Sequence, residues 1–301
     1  NDGLDLVGAG GEGESVWLAF FLYHVLDRFG EVAEQRGDAG FTEVCRSEAA
    51  RLRSSIHEHA WDGEWYRRAY FDDGTPLGSA QNPECQIDSI PQSWAVLSGA
   101  GDPARTRAAM DSVYRRLVDK ENSLVRLFAP PFDKSELNPG YIKGYLPGVR
   151  ENGGQYTHAA VWAVIAYAAL GDVRRAWELL SMINPVKRGA GWDGSARYKV
   201  EPYVVAADVY AVSPAAGRGG WTWYTGAAAW MYRLIMEWLL GLRLENGGLR
   251  FNPAMPEEWQ QFNVRYRSGQ TQYHITVRRA GSGTEVTGVV LDGAGQPDQS
   301  I

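Results

Sequence analysis

The feature that most constrains the fold is a pattern of paired helices that occurs twice. An apolar run at 93–97 precedes Gly101-Asp102 and an amphipathic stretch, and an apolar run at 161–165 precedes Gly171-Asp172 and another amphipathic stretch. Glycine favours the C-cap of a helix, and the aspartate that follows it favours the N-cap of the next. Each copy therefore predicts an inner helix and an outer helix joined by a short break.

Helical periodicity recurs along the chain up to about residue 240. The segment that opens at Ser15 is apolar on nearly all sides and is therefore predicted to be buried. Inner and outer helices in succession predict a mainly α fold, an α/α-toroid. The predicted helices fall within 15–29, 41–60, 87–98, 103–118, 155–170, 172–183 and 222–240.

Long connections rich in glycine and proline separate the predicted helix pairs at 62–86, 121–154 and 186–221. Loops of this length in a compact domain often carry function, and on a toroid they would gather over the cleft. After about Gly241, apolar and polar residues alternate in short runs between turn residues, which predicts strands. A small antiparallel β-sheet module, jelly-roll-like, is therefore predicted over 241–301.

Composition and charge narrow the function classes in part. The 301 residues include 12 Trp, 15 Tyr and 35 Gly, which sugar-binding clefts and large cores both use. A net charge of −6 argues against a nucleic-acid surface and an anionic membrane face, and no apolar run has the length of a membrane span. Cys45 and Cys85 form no close pair, which favours a reduced compartment. No metal site is predicted, because no Cys/His cluster is present and the turn at 72–74 lacks the longer calcium-loop pattern.

The stretch at 148–158 is the strongest candidate for a functional site. It contains Arg150, Glu151, two adjacent glycines and His158 in the approach to an apolar helix. Core packing does not require these residues together, and adjacent glycines allow a sharp turn or a close approach to a ligand. A carboxylate and an imidazole beside a helix start predict a site for a polar, partly anionic ligand.

Four segments, taken in order, resemble glycoside hydrolase family 94. They are Asn1-Asp2-Gly3, the stretch at 148–158, Glu201-Pro202-Tyr203 and the glycine- and tryptophan-rich run at 219–226. The family contains inverting cellobiose, chitobiose and β-1,2-oligoglucan phosphorylases and the C-terminal domain of cyclic β-1,2-glucan synthases. The residues at 217–226 are most similar to the β-1,2-glucan branch. The resemblance implies that 1–240 is the C-terminal portion of an (α/α)6-barrel catalytic domain.

The resemblance also implies roles for individual residues. Asp2 matches the last residue of the Trp-Asn-Asp motif that supplies the general acid in the family. His158, Thr225 and Gly226 would bind phosphate, and N–H groups at the start of the apolar helix after Thr225 suit an anion. Without the resemblance, Asp2 is interpreted as a solvated turn residue, His158 as a histidine on a helix face, and Thr225 as a helix cap.

Contacts with the sugar are predicted for a further set of residues. Glu151 would lie near the acceptor subsite or the phosphate network, although from the residues alone it could cap a helix or pair with Arg150. Arg218, Trp221 and Tyr224 fit either cleft walls or packing. The predicted substrate contacts are Arg150, Glu151, Glu201, Tyr203 and Trp223.

The chemistry implied by the family needs few residues. An inverting hydrolase requires an acid and a base about 6.5–9.5 Å apart, whereas a phosphorylase requires only the acid because phosphate is itself the nucleophile. Asp2 would protonate the glycosidic oxygen while phosphate, the co-substrate, attacks the anomeric carbon from the opposite face. No other cofactor is predicted. The alternatives are an inverting hydrolase on a related toroid and a non-catalytic glucan-binding half-domain.

Expectations about partners and location follow from the same resemblance. The ligands would be a β-glucan oligosaccharide and phosphate, and no nucleic acid is expected. Family members carry an N-terminal β-sandwich and earlier barrel helices that complete the donor site, so this chain is expected to be inactive without that missing N-terminal half. A homodimer is compatible with the family. The expected location is cytoplasmic, as a free-standing phosphorylase or as the cytoplasmic domain of an inner-membrane synthase.

Overall fold

The computed structural model describes residues 2–223, 225–245, 247–281, 285–297 and 301, and for Asp2 it describes the backbone alone. A π-helical turn, Leu234–Leu239, continues the last helix, and 3-10 turns lie at Asp2–Leu4 and Tyr141–Gly144. The helices are α1 (Val16–Gln35), α2 (Ala39–His59), α3 (Ser89–Leu97), α4 (Pro103–Leu117), α5 (Thr157–Ala169), α6 (Val173–Ile183), α7 (Pro185–Arg188), α8 (Gly191–Tyr198) and α9 (Thr225–Arg233).

The strands are short and all pair antiparallel. Of the strands in the described ranges, nine precede the end of the helical region and six follow it. They are β1 (Glu14–Ser15), β2 (Ala69–Tyr70), β3 (Pro76–Leu77), β4 (Ile87–Asp88), β5 (Val118–Asp119), β6 (Leu124–Val125), β7 (Phe128–Ala129), β8 (Gln155–Tyr156), β9 (Asp208–Val209), β10 (Leu242–Glu245), β11 (Gly248–Phe251), β12 (Gln261–Ser268), β13 (Thr271–Arg278), β14 (Val289–Leu291) and β15 (Ala294–Gln296).

The longer helices form two layers. In the inner layer, α3 packs between α1 and α5, and α5 packs between α3 and α9. In the outer layer, α2, α4 and α6 each pack against the inner helix that precedes them in the chain. The main core follows the inner helices and includes Phe20, Trp94, Val164 and Leu234. This succession of inner and outer helices agrees with the predicted pairing.

The two Gly-Asp breaks end one helix and begin the next. Asp102 and Asp172 each accept backbone N–H bonds from the first turn of the following helix, which confirms the predicted N-caps. Gly171 has a φ of +76°, as the predicted C-cap requires. In the other copy the left-handed glycine is Gly99, so the C-cap predicted at Gly101 is wrong. Gly101 is needed for close packing instead, because a Cβ there would lie 2.7 Å from a backbone carbonyl oxygen of α3.

The prediction that the first helix is buried on all sides is wrong for one face. Phe20 is fully buried, and α2 and α3 pack against α1. The opposite side of α1 carries a continuous apolar stripe that the described part of the chain leaves exposed. The stripe consists of Leu18, Phe21, Leu22, Val25, Phe29 and Val32. The apolar composition of α1 agrees with the prediction. The stripe remains exposed because none of the described residues packs over it.

Three inner helices each begin directly after a two-residue strand. β1 precedes α1, β4 precedes α3 and β8 precedes α5. These strands pair with β2, β7 and β9, which belong to the three long connections. The connections are therefore held at the N-terminal ends of the inner helices, where the helix dipoles favour anions.

The C-terminal strands form three separate hairpins. β10 pairs with β11, β12 with β13, and β14 with β15, and no described strand joins one hairpin to another. The antiparallel strands predicted for 241–301 are therefore present as hairpins, and their assembly into one jelly-roll-like module stays a prediction. Alternation along a strand indicates its two faces but not its neighbour, which is why the pattern could not distinguish a sheet from hairpins. The boundary near residue 240 stays a prediction.

Several smaller predictions concern single residues. Cys45 and Cys85 are buried and unpaired, in agreement with packing roles. Asp72 accepts backbone N–H bonds from Gly10, Glu12 and Gly13, so its turn is structural.

Over the described ranges, no group of His, Cys, Asp and Glu could hold a metal ion, and no helix is long and apolar enough to cross a membrane.

A buried ion pair joins the starts of α1 and α3. Arg68 Nε lies 3.1 Å from Asp88 Oδ2, and both side chains are almost completely buried. Arg68 also donates to Ser15 Oγ (3.2 Å), and Asp88 caps α3 by accepting the N–H of Ile90 (2.8 Å). Burial raises the pKa of Asp88 and lowers the pKa of Arg68, so each charge depends on the other for its stability.

Replacing Asp88 by Asn tests this pair. Asp88→Asn keeps a capping side chain but leaves the Arg68 charge unpaired in the core. We expect the free energy of unfolding, measured by urea titration, to fall by about 3–5 kcal/mol. Glu64→Gln is the control, because it removes an exposed ion pair with Arg115 and should cost less than about 1 kcal/mol. Equal losses in the two variants would contradict the role of the buried pair.

Candidate functional site

A ribbon of three backbone segments brings distant parts of the sequence to the start of α5. β8 pairs with β9, and Val209 in β9 bridges to Gly219. The N–H of Thr157 donates to the carbonyl of Ala207 (2.8 Å), and the N–H of Ala207 donates to the carbonyl of Trp221 (2.7 Å). The glycine-rich stretch before α5 is thereby joined to two segments of the third long connection.

The adjacent glycines before α5 are required by the backbone. Gly153 has a φ of +77°, and a Cβ there would lie 2.8 Å from Cβ of Pro131. A Cβ on Gly154 would lie 2.7 Å from the carbonyl oxygen of Arg150. Arg150 itself has a φ of +52°, which is uncommon for a residue other than glycine. The sharp turn expected from the two glycines is confirmed.

Arg150 and Glu151 lie in one small pocket of about 60 Å³, which we call the Arg150 pocket. The guanidinium of Arg150 lies 4.1 Å from the ring centroid of Trp221 and 5.2 Å from that of Tyr145. Such stacking positions a cation while its N–H groups can still bind a ligand. The pocket is lined by Arg150, Glu151, Tyr156, Ala207, Asp208 and Trp221.

Asp208 is a buried carboxylate that sequence analysis did not single out. Its Oδ1 accepts the N–H of Trp221 (3.0 Å), whereas Oδ2 has no hydrogen-bond partner among the described residues. A Cβ on Gly220 would lie 2.3 Å from Oδ1, so glycine is required beside it. Burial raises the pKa of Asp208, although the Trp221 N–H and Arg150 oppose the shift. The signal that could have identified it is a lone carboxylate within the apolar run at 204–212.

His158 lies where α5 and α9 begin. Its Nδ1 is 3.9 Å from the position that a Cβ on Gly226 would take, and its ring packs against Trp162 and Trp230 with centroids 4.3 and 5.8 Å away. Because Thr225 is the first residue of α9, the structure brings His158, Thr225 and Gly226 together. The Nε2 of His158 is buried without a described partner, and burial lowers the pKa of the ring.

Glu201 and Trp223 form a second group of predicted substrate contacts. Trp223 Nε1 donates to Glu201 Oε1 at 3.1 Å. The side chains of Trp223 and Tyr203 are each 69% exposed, so their rings are accessible for stacking on a sugar. Neither lines the Arg150 pocket. The five predicted substrate contacts therefore divide between that pocket and a second group, Glu201, Tyr203 and Trp223, which we call the exposed aromatic surface.

The side chain of the predicted acid, Asp2, lies outside the described residues, as do Asn1 and Tyr224. The backbone turn Asp2–Leu4 packs on the turn at Tyr141–Gly144, since a Cβ on Gly3 would lie 3.2 Å from Cβ of Ile142. Asp5 Oδ1 accepts the N–H of Tyr141 at 3.0 Å. This second turn leads to Tyr145 and hence to Arg150. The N-terminal segment therefore packs on the connection that carries the Arg150 pocket.

Comparison with known proteins identifies relatives along nearly the whole chain. Residues 1–241 match the Glycosyl hydrolase 94 superfamily, catalytic domain. The chain is 49% identical over 279 residues to the cyclic beta-(1,2)-glucan synthase NdvB of Rhizobium meliloti (strain 1021). This alignment covers 93% of this chain and 10% of that protein. It is 31% identical to the solabiose phosphorylase of Paenibacillus borealis, over 92% of this chain and 36% of that protein.

A solved structure of a sialidase superposes with a TM-score of 0.60 at 12% identity, over 83% of this chain and 22% of that chain, and this likeness concerns the fold alone. The chain spans from 10% to 38% of the length of the curated relatives that it matches over most of its residues. The family match contains every segment of the candidate site, from the N-terminal turn to the start of α9. The chain belongs to the glycosyl hydrolase 94 superfamily and forms part of its catalytic domain.

Proposed function

We propose that the domain containing this chain catalyses the inverting phosphorolysis of β-glucosides. The observation that carries the proposal is His158 Nε2, which is buried without a hydrogen-bond partner among the described residues, in a ring placed beside Thr225 and Gly226 at the start of α9. The substrate would be a β-1,2-linked glucan, since the relative with 49% identity is a cyclic beta-(1,2)-glucan synthase. Inorganic phosphate would be the co-substrate, and the products would be α-glucose 1-phosphate and a shortened glucan.

Phosphate would bind between the starts of two inner helices. The first N–H groups of α9 have no partner within the helix, and the helix dipole favours an anion at that end. The lowered pKa of His158 keeps its imidazole neutral near neutral pH, so one ring nitrogen can donate a hydrogen bond to phosphate. Trp162 and Trp230 pack around the ring and limit its contact with water.

Asp2 would supply the proton for the leaving group. Its carboxyl group would protonate the glycosidic oxygen as the bond from that oxygen to the anomeric carbon breaks. A phosphate oxygen would form the new bond from the opposite face, which inverts the configuration. No catalytic base is needed, because phosphate arrives as an anion. In this scheme Glu151 and Arg150 contact the sugar at the Arg150 pocket, and Glu201, Tyr203 and Trp223 contact it at the exposed aromatic surface.

The closest competing function is inverting hydrolysis, which would require a base to activate water. Glu151 and Asp208 are the carboxylates at the Arg150 pocket that could be considered for that role. Burial raises the pKa of Asp208, which makes its ionised carboxylate a stronger base, so the two reactions are distinguished by their dependence on phosphate rather than by this residue. Release of glucose 1-phosphate that depends on phosphate would distinguish phosphorolysis from hydrolysis.

The apolar stripe on α1 is the surface that we assign to the remainder of the domain. The relatives are several times longer than the matched region, and the inner layer here ends at α1 with Leu22 46% exposed and Phe29 54% exposed. A further pair of inner and outer helices would precede α1, and its inner helix would pack against α1 on this face, as α3 packs against α1 on the other. The missing N-terminal half expected from the family would therefore pack against α1.

Placing charge on the stripe tests this assignment. In the intact polypeptide, Leu22→Asp combined with Phe29→Asp should lower the thermal midpoint by several degrees and reduce activity, because two carboxylates would be buried without partners. Val290→Asp, which also replaces an exposed apolar residue, is the control and should have little effect. Normal stability and activity of the double variant would show that nothing covers α1.

The phosphate role of His158 predicts a specific kinetic change. His158→Ala in the intact polypeptide should raise the KM for phosphate by about tenfold or more, since a hydrogen bond to a charged group is lost. The KM for the glucan should change much less. His274→Ala, at an exposed position on β13, is the control. An unchanged dependence on phosphate would remove His158 from the phosphate site.

The acid role predicts a larger effect on turnover. Asp2→Asn should lower kcat for phosphorolysis of a β-1,2-glucan by about 10²–10⁴-fold, because the amide cannot donate the required proton. The circular dichroism spectrum and the thermal midpoint should remain those of the unmodified protein. Asp27→Asn, on the surface of α1, provides the matched control. Phosphorolysis at the normal rate by the Asp2 variant would refute the assignment.

A further inference from the structure

A second pocket, with a volume of about 250 Å³, lies between helices α7 and α8 and the turn at 122–123. It shares no lining residue with the Arg150 pocket. Three basic residues line it, Lys187, Arg188 and Arg197, together with one carboxylate, Asp193. We call it the basic pocket. Its volume is below the range of about 300–1,000 Å³ usual for sites of drug-sized ligands, so its ligand must be small.

Arg188 is the central observation, because its partly buried guanidinium forms no ion pair with a carboxylate of the described residues. Its Nη2 donates to the carbonyl oxygen of Ser123 and to Gln155 Oε1, which are both neutral acceptors. Its Nε is buried and has no hydrogen-bond partner among the described residues. Burial lowers the pKa of Arg188 to about 10, so the guanidinium remains charged at neutral pH. A buried cation with an unused donor is costly unless an anion compensates it.

The other two cations of the basic pocket are also without carboxylate partners. Within the described ranges, neither Lys187 nor Arg197 forms an ion pair, although acidic residues pair with many other arginines on the surface. Lys187 Nζ donates only to a hydroxyl, Ser181 Oγ, at 2.8 Å. Three cations and Asp193 leave a net charge of about +2 around one small cavity. A phosphate group carries a charge between about −1.5 and −2 at pH 7, which matches this excess.

From this geometry we propose that the basic pocket binds a phosphate group, either as inorganic phosphate or as part of a small sugar phosphate. The guanidinium groups of Arg188 and Arg197 would donate to the phosphate oxygens, which suit the planar fork of arginine. Asp193 would accept a hydrogen bond from a protonated phosphate oxygen or from a sugar hydroxyl. This site is separate from the one at His158 and does not depend on it.

The basic pocket is linked to the candidate site through Gln155. Gln155 Oε1 accepts from Arg188, and Gln155 Nε2 donates to Thr157 Oγ1 at 3.3 Å, one residue before His158. The backbone of Gln155 also pairs with β9 beside Asp208. Arg188, which would bind the anion, is therefore connected through Gln155 to the start of α5.

The test is calorimetric titration of the intact polypeptide, first with inorganic phosphate and separately with α-glucose 1-phosphate. Because Arg188 also holds Ser123 and Gln155, the variants target the exposed cations, as Arg197→Ala and as Lys187→Ala with Arg197→Ala. We expect Arg197→Ala to weaken one binding event about tenfold and the double variant to abolish it. Arg107→Ala, on the exposed side of α4, is the control and should leave binding unchanged.

Comparison with His158→Ala separates the two sites. That variant should keep the binding event that the Arg197 substitution removes. If inorganic phosphate or α-glucose 1-phosphate shows a binding event that Arg197→Ala weakens and His158→Ala retains, the proposal is supported. The compound that shows this event identifies the form of the ligand. Two outcomes would overturn it: all phosphate binding disappears in His158→Ala, or Arg197→Ala and the double variant bind phosphate like Arg107→Ala.

Discussion

The arrangement of the inner helices depends on the buried pair of Arg68 and Asp88. Asp88 caps α3, and Arg68 holds Ser15 at the start of α1, so one interaction sets two neighbouring helix starts at the same level. The short strands that precede these helices then pair with strands of the long connections. Because the pair is buried, removing either partner would leave the other charge in the core without water or a counter-charge. The Arg68–Asp88 pair therefore helps to fix the positions of the long connections at this end of the domain.

The candidate site forms at that end because helix starts and loop segments meet there. The ribbon of β8, β9 and the segment before Trp221 joins three stretches that are far apart in sequence, and the starts of α5 and α9 meet at His158. Each component has a distinct chemistry: helix N–H groups for an anion, a stacked arginine beside carboxylates, and exposed rings for sugar. Arg188 of the basic pocket donates to Gln155 of β8, which belongs to the same ribbon.

Prediction from the sequence was accurate where the signal is local. Helix pairs follow from periodicity, the caps at Asp102 and Asp172 from their position at a break, and the turn at Gly153-Gly154 from the freedom of glycine. It was incomplete where the signal is a relation between distant residues. Asp208 was missed because a single carboxylate in an apolar run has no local meaning until Trp221 and Gly220 surround it. The exposed face of α1 was missed because an apolar helix face indicates that it will be buried but not which residues will pack on it.

The sequence by itself determined the succession of helices, the short C-terminal strands, the glycine-rich turn before α5 and the residue types at the candidate site. These depend on propensities and spacings that act within a few residues. Only the tertiary structure decided that His158 faces Gly226, that Arg150 stacks on Trp221, that Arg188 Nε is buried without a partner among the described residues and that the C-terminal strands form separate hairpins. The physical reason is that burial, pairing and charge compensation are properties of neighbours in space, which long connections bring together in ways that local pattern does not specify.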